Sequence, residues 1–437
     1  MWSKPGSRGL RRAAVALVAA AGLVLAGCGS GSESGGGGAS GDGRTLTVWI
    51  MEGTNPDARP FFDQLRTAFT NRTGAQLDVQ FLPWSSAHDR FVTSIAGGTT
   101  PDVAEVGTTW TSEFGEAGAL VDLAPRVQEA GLTDKLVNGL VEAGTVGDAL
   151  YGMPWYAGVR SIVYRTDVFA ELGLKPPTTW DELVQTGLAI KAAKPDMIPF
   201  PIAGDNEYGV YPFVWGAGGE IATKNGDTWT SAIDSPQARQ GLQFYSELST
   251  KHGLSTPAAA TWKETDLRDS FAKGQSAMII SGSWTPKSIL EAAPDLNGKI
   301  GAFPIPGPTG GLSGSFLGGS HLTIFEGSSN QDLAWQLVQM MTTGEFAQKW
   351  GTESSFFPGT TELLDQAAAS SDPLVAPFAQ QMVDAGRSLP VTPLYGKVQG
   401  KKTIPTMMSS ILTGQAGVEQ ATSTAAAEMN TIFAGGA

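Results

Sequence analysis

Three short apolar strands separated by amphipathic helices constrain this chain more than any other feature. Arg44 to Ile50 places apolar residues at Leu46, Val48 and Ile50, the period-two pattern of a strand. Asn55-Pro56 then reads as a helix cap with proline at the first helical position. Phe61, Phe62, Leu65, Ala68 and Phe69 recur at helical spacing, and Asn71 to Gly74 ends the run. Leu77, Val79 and Phe81 alternate as a second strand, His88 to Ala96 reads as a second helix, and Pro101 leads into a third strand, Val103 to Val106. The order β-α-β-α-β implies a parallel, twisted sheet with right-handed crossovers. Sheets of that kind hold ligands beyond the carboxyl ends of their strands. Those ends carry Glu52, Thr54 and Asn55, then Trp84, then Thr108, Thr109 and Trp110. An indole gives a flat apolar face and one donor, which together with neighbouring hydroxyls suits a sugar ring.

The segment before the first strand is not part of that fold. Lys4, Arg8, Arg11 and Arg12 precede an apolar run from Ala13 to Leu25, too short to span a bilayer as a stable helix. Residues 1–27 therefore read as a signal peptide. Leu25-Ala26-Gly27-Cys28 resembles a bacterial lipobox, which implies cleavage before Cys28 and a lipid on its thiol. Cys28 is the only cysteine, so the body has no disulfide. Residues 28–43 are the lipidated cysteine and a Gly/Ser-rich tether. Arg11-Arg12 leaves the export route open between the Sec and twin-arginine systems.

The formal net charge of −13 argues against nucleic acid as a partner. Twelve tryptophans beside only 16% charged residues favour a neutral ligand such as carbohydrate. No Gly-x-Ser-x-Gly elbow and no Walker loop is present. His88, His252 and His321 lie far apart without metal-ligand spacing and read as structural. Asp102, Glu105 and Glu207 are lone acids that the sequence does not pair across a scissile bond. The expectation is a binding protein with no catalytic residue, cofactor or metal.

Residues 150–170 carry a family resemblance. A Tyr-Gly-x-Pro strand at Tyr151 to Pro154 is followed by Arg160, an apolar run to Tyr164, and Asp167-Val-Phe169. Pro177-Thr-Thr-Trp-Asp-Glu-Leu183 is a helix start with Thr179 as cap and Glu182 three residues on. Phe271-Ala-Lys-Gly274 to Met278, Gly282-Ser-Trp284, and Leu333 to Leu337 with Thr343-Gly-Glu345 follow in order. This series resembles the sugar-binding proteins of bacterial ABC importers, the solute-binding family that includes maltose-binding protein. Tyr164-Arg165 departs from the Tyr-Asn or Tyr-Asp of many members.

The resemblance implies an α/β, two-lobed, periplasmic-binding-protein-like fold. Each lobe would be a mainly parallel sheet flanked by helices, with discontinuous lobes joined by hinge crossings. Lobe 1 would be 44–155 plus 319–356, and lobe 2 would be 156–318 plus 357–437. The ligand-binding set would be Glu52, Asn55, Trp84, Thr109, Trp110, Asn206, Tyr208, Trp284 and Tyr395. Glu207 would accompany Asn206 and Tyr208, and Tyr395 would stand where members carry another aromatic. Trp180, Trp229, Trp335 and Trp350 read as structural. The implied partners are an oligosaccharide, the permease subunits of an importer, and the membrane through Cys28, with the receptor a monomer on the outer face of the cytoplasmic membrane. The oligosaccharide would be chitobiose-like or maltose/trehalose-like. A non-sugar solute and a surface-anchored glycan-processing enzyme are the alternatives, and Arg160 is the one cleft-side cation an anion would use.

Overall fold

The computed structural model describes residues 43–226 and 228–435. The expected signal peptide, Cys28 and nearly all of the tether lie outside the described residues. The elements that place the site are, in chain order, β1 (Thr45–Glu52), α1 (Arg59–Thr73), β2 (Gln76–Pro83), α2 (Trp84–Gly97), β3 (Val103–Gly107), α3 (Thr108–Glu116), β4 (Met153–Gly158), β5 (Arg160–Arg165), α4 (Trp180–Ala193), α5 (Glu207–Gly216), β6 (Met278–Gly282), β7 (Ile300–Phe303), β8 (Gly318–Ile324), β9 (Phe357–Pro358), α6 (Pro393–Gly400) and α7 (Val418–Phe433).

The first sheet has the order β2-β1-β3-β8-β4-β9. β1 pairs parallel with both β2 and β3, as the β-α-β-α-β pattern predicts. β8 then runs antiparallel to β3 and to β4, and β9 antiparallel to β4. Phe61, Phe62, Leu65 and Phe69 of α1 are buried against this sheet. Each such side chain contributes roughly 1.5–3 kcal/mol of burial. Gly74 stops α1 in the left-handed conformation, φ 78°, where a Cβ would be strained.

The second sheet, β6-β5-β7, is antiparallel throughout. The two-lobed α/β architecture is the expected one, but the strand directions are a correction to the mainly parallel sheets. Alternation of apolar residues fixes a strand and its buried face; it carries no information on the neighbour's direction. The stretch Asp196 to Ala203, between α4 and α5, forms no strand. It is an irregular extended segment held by one parallel bridge, Ile198 to Ser276. Pro199 and Pro201 remove two donors that a ladder would need. Helix starts also shift. α1 begins at Arg59, with Pro60 in its first turn and no capping side chain, and Asn55 instead donates to Pro56 O at 3.2 Å. α2 begins at Trp84, four residues before the expected His88. The cap at Thr179 is as expected, its hydroxyl accepting from Glu182 N at 3.1 Å.

Core packing changes sides three times along the chain. Most buried apolar residues from Leu46 to Tyr156 pack with the first sheet and most from Ile162 to Phe316 with the second; Leu140 and Trp284 each cross to the other side. Leu322 to Phe356 return to the first, and Phe357 and Phe378 rejoin the second. α7 closes the second core with Met429, Ile432 and Phe433, and Ser231 N donates to Asn430 Oδ1 at 2.8 Å. Trp180, Trp335 and Trp350 are buried in these cores, as expected; Trp229 is half-buried in a hairpin strand.

Candidate functional site

The carboxyl ends of β1, β2 and β3 converge on one cleft with a cavity volume of about 330 Å³. Antiparallel β4 and β8 bring Tyr156, Gly158, Gly318 and Ser320 to the same edge. The opposite wall comes from the second lobe: Asn206, Glu207 and Tyr208 at the start of α5, Trp284 after β6, and Gln399 on α6.

Eight of the nine expected site residues line this cleft: Glu52, Asn55, Trp84, Thr109, Trp110, Asn206, Tyr208 and Trp284. Tyr395 does not, which corrects that expectation. It is fully buried in the second core, with its hydroxyl 2.9 Å from that of Tyr211. Gln399, one helical turn further along α6, occupies the cleft instead. The resemblance marks this segment by its one aromatic, Tyr395, and gives neither the helix nor the face that it turns to the cleft.

Two aromatic residues on facing walls are only half-buried, Trp84 and Tyr208. Trp84 lies 5.6 Å from Trp110 at 58°, and Tyr208 stacks on Phe316 at 5.3 Å. Trp110 and Trp284 are each 8% exposed. The Trp284 ring packs 4.6 Å from Phe356 and its nitrogen donates to Thr54 Oγ1 at 2.6 Å. The ring fits only because Gly158 and Gly282 lack side chains; a Cβ at either would overlap it.

The polar groups are mostly paired. Arg160 forms a bidentate bond with Glu264, Nη2 to Oε2 at 2.8 Å, and lies 4.0 Å over the Tyr208 ring. Its charge is thereby compensated, leaving little for an anion. Glu52 pairs with Arg59 at 3.0 Å, and Asp205 with Lys402 at 2.9 Å. Gln399 donates to Glu207 and accepts from Trp110 Nε1 at 3.1 Å. Burial pushes the Glu207 carboxyl above its ordinary range, partly offset by that amide donor. One group stands apart: the Asn206 amide nitrogen, on a residue 4% exposed, has no partner. An unsatisfied buried donor costs about 1–3 kcal/mol, so a donor in a cleft wall is one that a ligand would satisfy.

Two of the three histidines are hydrogen-bonded within the fold through their rings. His321 is buried between Thr111 Oγ1 at 2.8 Å and Leu140 O at 2.9 Å, and desolvation lowers its pKa to about 4. His88 sits at the cleft edge, 3.0 Å from Glu113. Tyr156, Ser320 and Gln399 are cleft residues that the sequence did not single out as ligand groups. The glycine pair Gly318-Gly319 beside Ser320 is the nearest signal for it in the sequence.

Two α/β lobes with an aromatic-lined cleft between them are the architecture of a solute-binding protein. The sequence profile described as bacterial extracellular solute-binding protein matches residues 53–347. The chain belongs to that family. It is 27% identical over 421 residues to the diacetylchitobiose binding protein DasA of Streptomyces coelicolor, across 94% of this chain and 96% of that one. An ABC transporter solute binding protein of Thermotoga lettingae, solved bound with alpha-D-tagatose, superposes with a TM-score of 0.80 at 27% identity, over 89% of this chain and 100% of its own. The maltose-bound MalE3 of T. maritima shares the fold, with a TM-score of 0.77 at 24% identity over 89% of this chain and 99% of its own.

Proposed function

We propose that this protein is the receptor of an ABC sugar importer, tethered by a lipid on Cys28 and handing an oligosaccharide to its permease. The lobes we assign are 44–155 plus 319–356 and 156–318 plus 357–437, with hinges where the core packing changes sides. The observation that carries the reading is one cleft lined by half-buried Trp84 and Tyr208 and by Asn206, whose amide nitrogen has no partner. A sugar ring offers the acceptors that Asn206 lacks and the apolar faces that Trp84 and Tyr208 can cover. Ring contacts contribute roughly 0.5–1.5 kcal/mol each beyond area burial. Two or three of them with a fan of hydrogen bonds reach the roughly −8 kcal/mol of micromolar affinity. The names of the relatives support diacetylchitobiose first and maltose-type glucosides second as the ligand. Closure on the sugar would shift an open–closed equilibrium that the permease reads.

Thermal unfolding of the purified protein against mono- and oligosaccharides tests this. A ligand selective for the folded state adds about 2.7 kcal/mol at a hundredfold excess over Kd. A shift with one glycan linkage supports the receptor and names its sugar. No shift with any sugar sinks the reading and turns attention to amino acids, peptides and polyamines. Chromatography of the same mixtures must show the glycans intact; cleaved products would establish an enzyme instead.

A further inference from the structure

Behind the cleft lies a buried acid. Glu105 is 1% exposed and does not itself line the cavity. On the β3–β8 pair, Leu322 stands opposite Glu105 and Ser320 opposite Gly107, so Glu105 and Ser320 share one face of the sheet. A register shift between Ser320 and His321 on the β4–β8 pair leaves Tyr156 opposite Ser320. Three residues from three strands thus meet at one point. Glu105 Oε1 accepts from the Tyr156 hydroxyl and from Ser320 Oγ at 2.8 Å. Glu105 Oε2 accepts from Met51 N at 2.8 Å. Ser320 Oγ also lies 2.9 Å from the Tyr156 hydroxyl. Tyr156 and Ser320 line the cleft.

Each hydroxyl owns a single hydrogen, and an ionised carboxylate only accepts. Tyr156 gives its hydrogen to Glu105. Ser320 gives its own to Glu105 or to Tyr156. Neither hydrogen is left for the cleft, while both oxygens keep lone pairs. We infer that Glu105 is a positioning residue that makes the cleft floor an acceptor surface, so that the ligand must set a hydroxyl or amide N–H donor against Tyr156 and Ser320. The ligand class here rests on the sugar-binding reading; the polarity rests on Glu105 and its three donors. Burying a carboxylate is costly unless hydrogen bonds offset the lost water. Those donors do so only in part: burial raises the Glu105 pKa to about 7. Above that pH it is purely an acceptor.

Calorimetry at about pH 8.5 with mono-deoxy and mono-deoxyfluoro derivatives of N,N′-diacetylchitobiose and of maltose reads the polarity. At one hydroxyl position the fluoro analogue, an acceptor facing acceptors, should bind at least threefold more weakly than the deoxy analogue. Glu105→Gln places an amide donor behind the floor, frees a hydroxyl hydrogen toward the ligand, and should abolish that threefold preference. A merely structural loss would weaken both analogues alike. A wild type that shows no such position, or a variant that keeps it, overturns the inference. A ligand-free arm separates this outcome from failure of the sugar reading and stands if Glu105→Gln does not fold. The Raman tyrosine doublet of Tyr156, isolated as wild type minus Tyr156→Phe, should show a phenol acting as donor. A phenol that accepts without donating overturns the inference even if neither disaccharide binds.

Discussion

The indole nitrogen of Trp110 donates to the amide oxygen of Gln399 at 3.1 Å, joining residues 289 positions apart. The same Gln399 side chain donates to Glu207, so one amide links a helix of the first lobe to the acid of the second. Hydrogen bonds to charged groups are worth about 1.5–3 kcal/mol. Gln399→Leu should therefore weaken sugar binding roughly tenfold or more. Titration calorimetry on the sugar that gives the largest thermal shift checks this, and an unchanged Kd would place α6 outside the binding step.

Trp284 makes its own link between lobes, to Thr54. Trp284→Ala should cost at least about tenfold in affinity, or roughly 1.4 kcal/mol. Gly282→Val keeps the indole but drives a branched side chain into it, since even a Cβ there overlaps the ring. That overpacking should cost about 1–3 kcal/mol of stability and weaken binding as well. Denaturant melts and calorimetry on both variants separate loss of the ring from its displacement.

Stability against pH should show two buried groups opposing each other. His321 is held neutral, with its pKa lowered to about 4 from 6.5, so the unfolded chain binds the extra proton as pH falls. Its contribution is complete above pH 6.5 and is lost on the way down to about 4. Glu105, raised to about 7 from 4.5, acts with the opposite sign: the folded chain holds the extra proton, and stability is lost as pH rises from 4.5 to about 7. Each shift corresponds to about 3 kcal/mol. Between pH 4.5 and 6.5 the two should nearly cancel in the wild type. Glu105→Gln should expose the rising limb from His321. Urea melts across that window would overturn this assignment if the variant and wild type ran parallel.

How much of this was legible in the chain differs from element to element. Leu46, Val48 and Ile50, then Leu77 and Val79, revealed β1 and β2 because each set lines one face against a core, although Trp49 and Met51 bury the other face of β1 as well. The carboxyl edge followed from element order, and with it Glu52, Trp84, Thr109 and Trp110. The antiparallel β6-β5-β7 sheet did not, because strand direction is decided by the connection and not by the period. Gln399 was hidden because an amide on a helix has no periodic signature. Glu105 was visible only as a lone acid; its partners Tyr156 and Ser320 arrive from strands 51 and 215 residues away.

The proposed lipid anchor gives the last prediction. Cys28→Ala should release the protein from cells into the medium or leave an uncut precursor, while sugar binding by the body stays the same. Mass spectrometry of the amino-terminal peptide of the wild type should find a diacylglyceryl cysteine, and an unmodified residue there would remove the anchor from the proposal.

Ser231 reaches its partner Asn430 across 199 positions, and α7 fills a core whose first member is Ile162. The second lobe therefore cannot complete its interior until almost all of the polypeptide has been synthesised. Distant contacts close slowly, because chain entropy is lost before they reward it. For a polypeptide proposed to leave the cytoplasm this lateness is an asset: a translocon threads an open chain, and this one has a built-in reason to stay open until it has crossed.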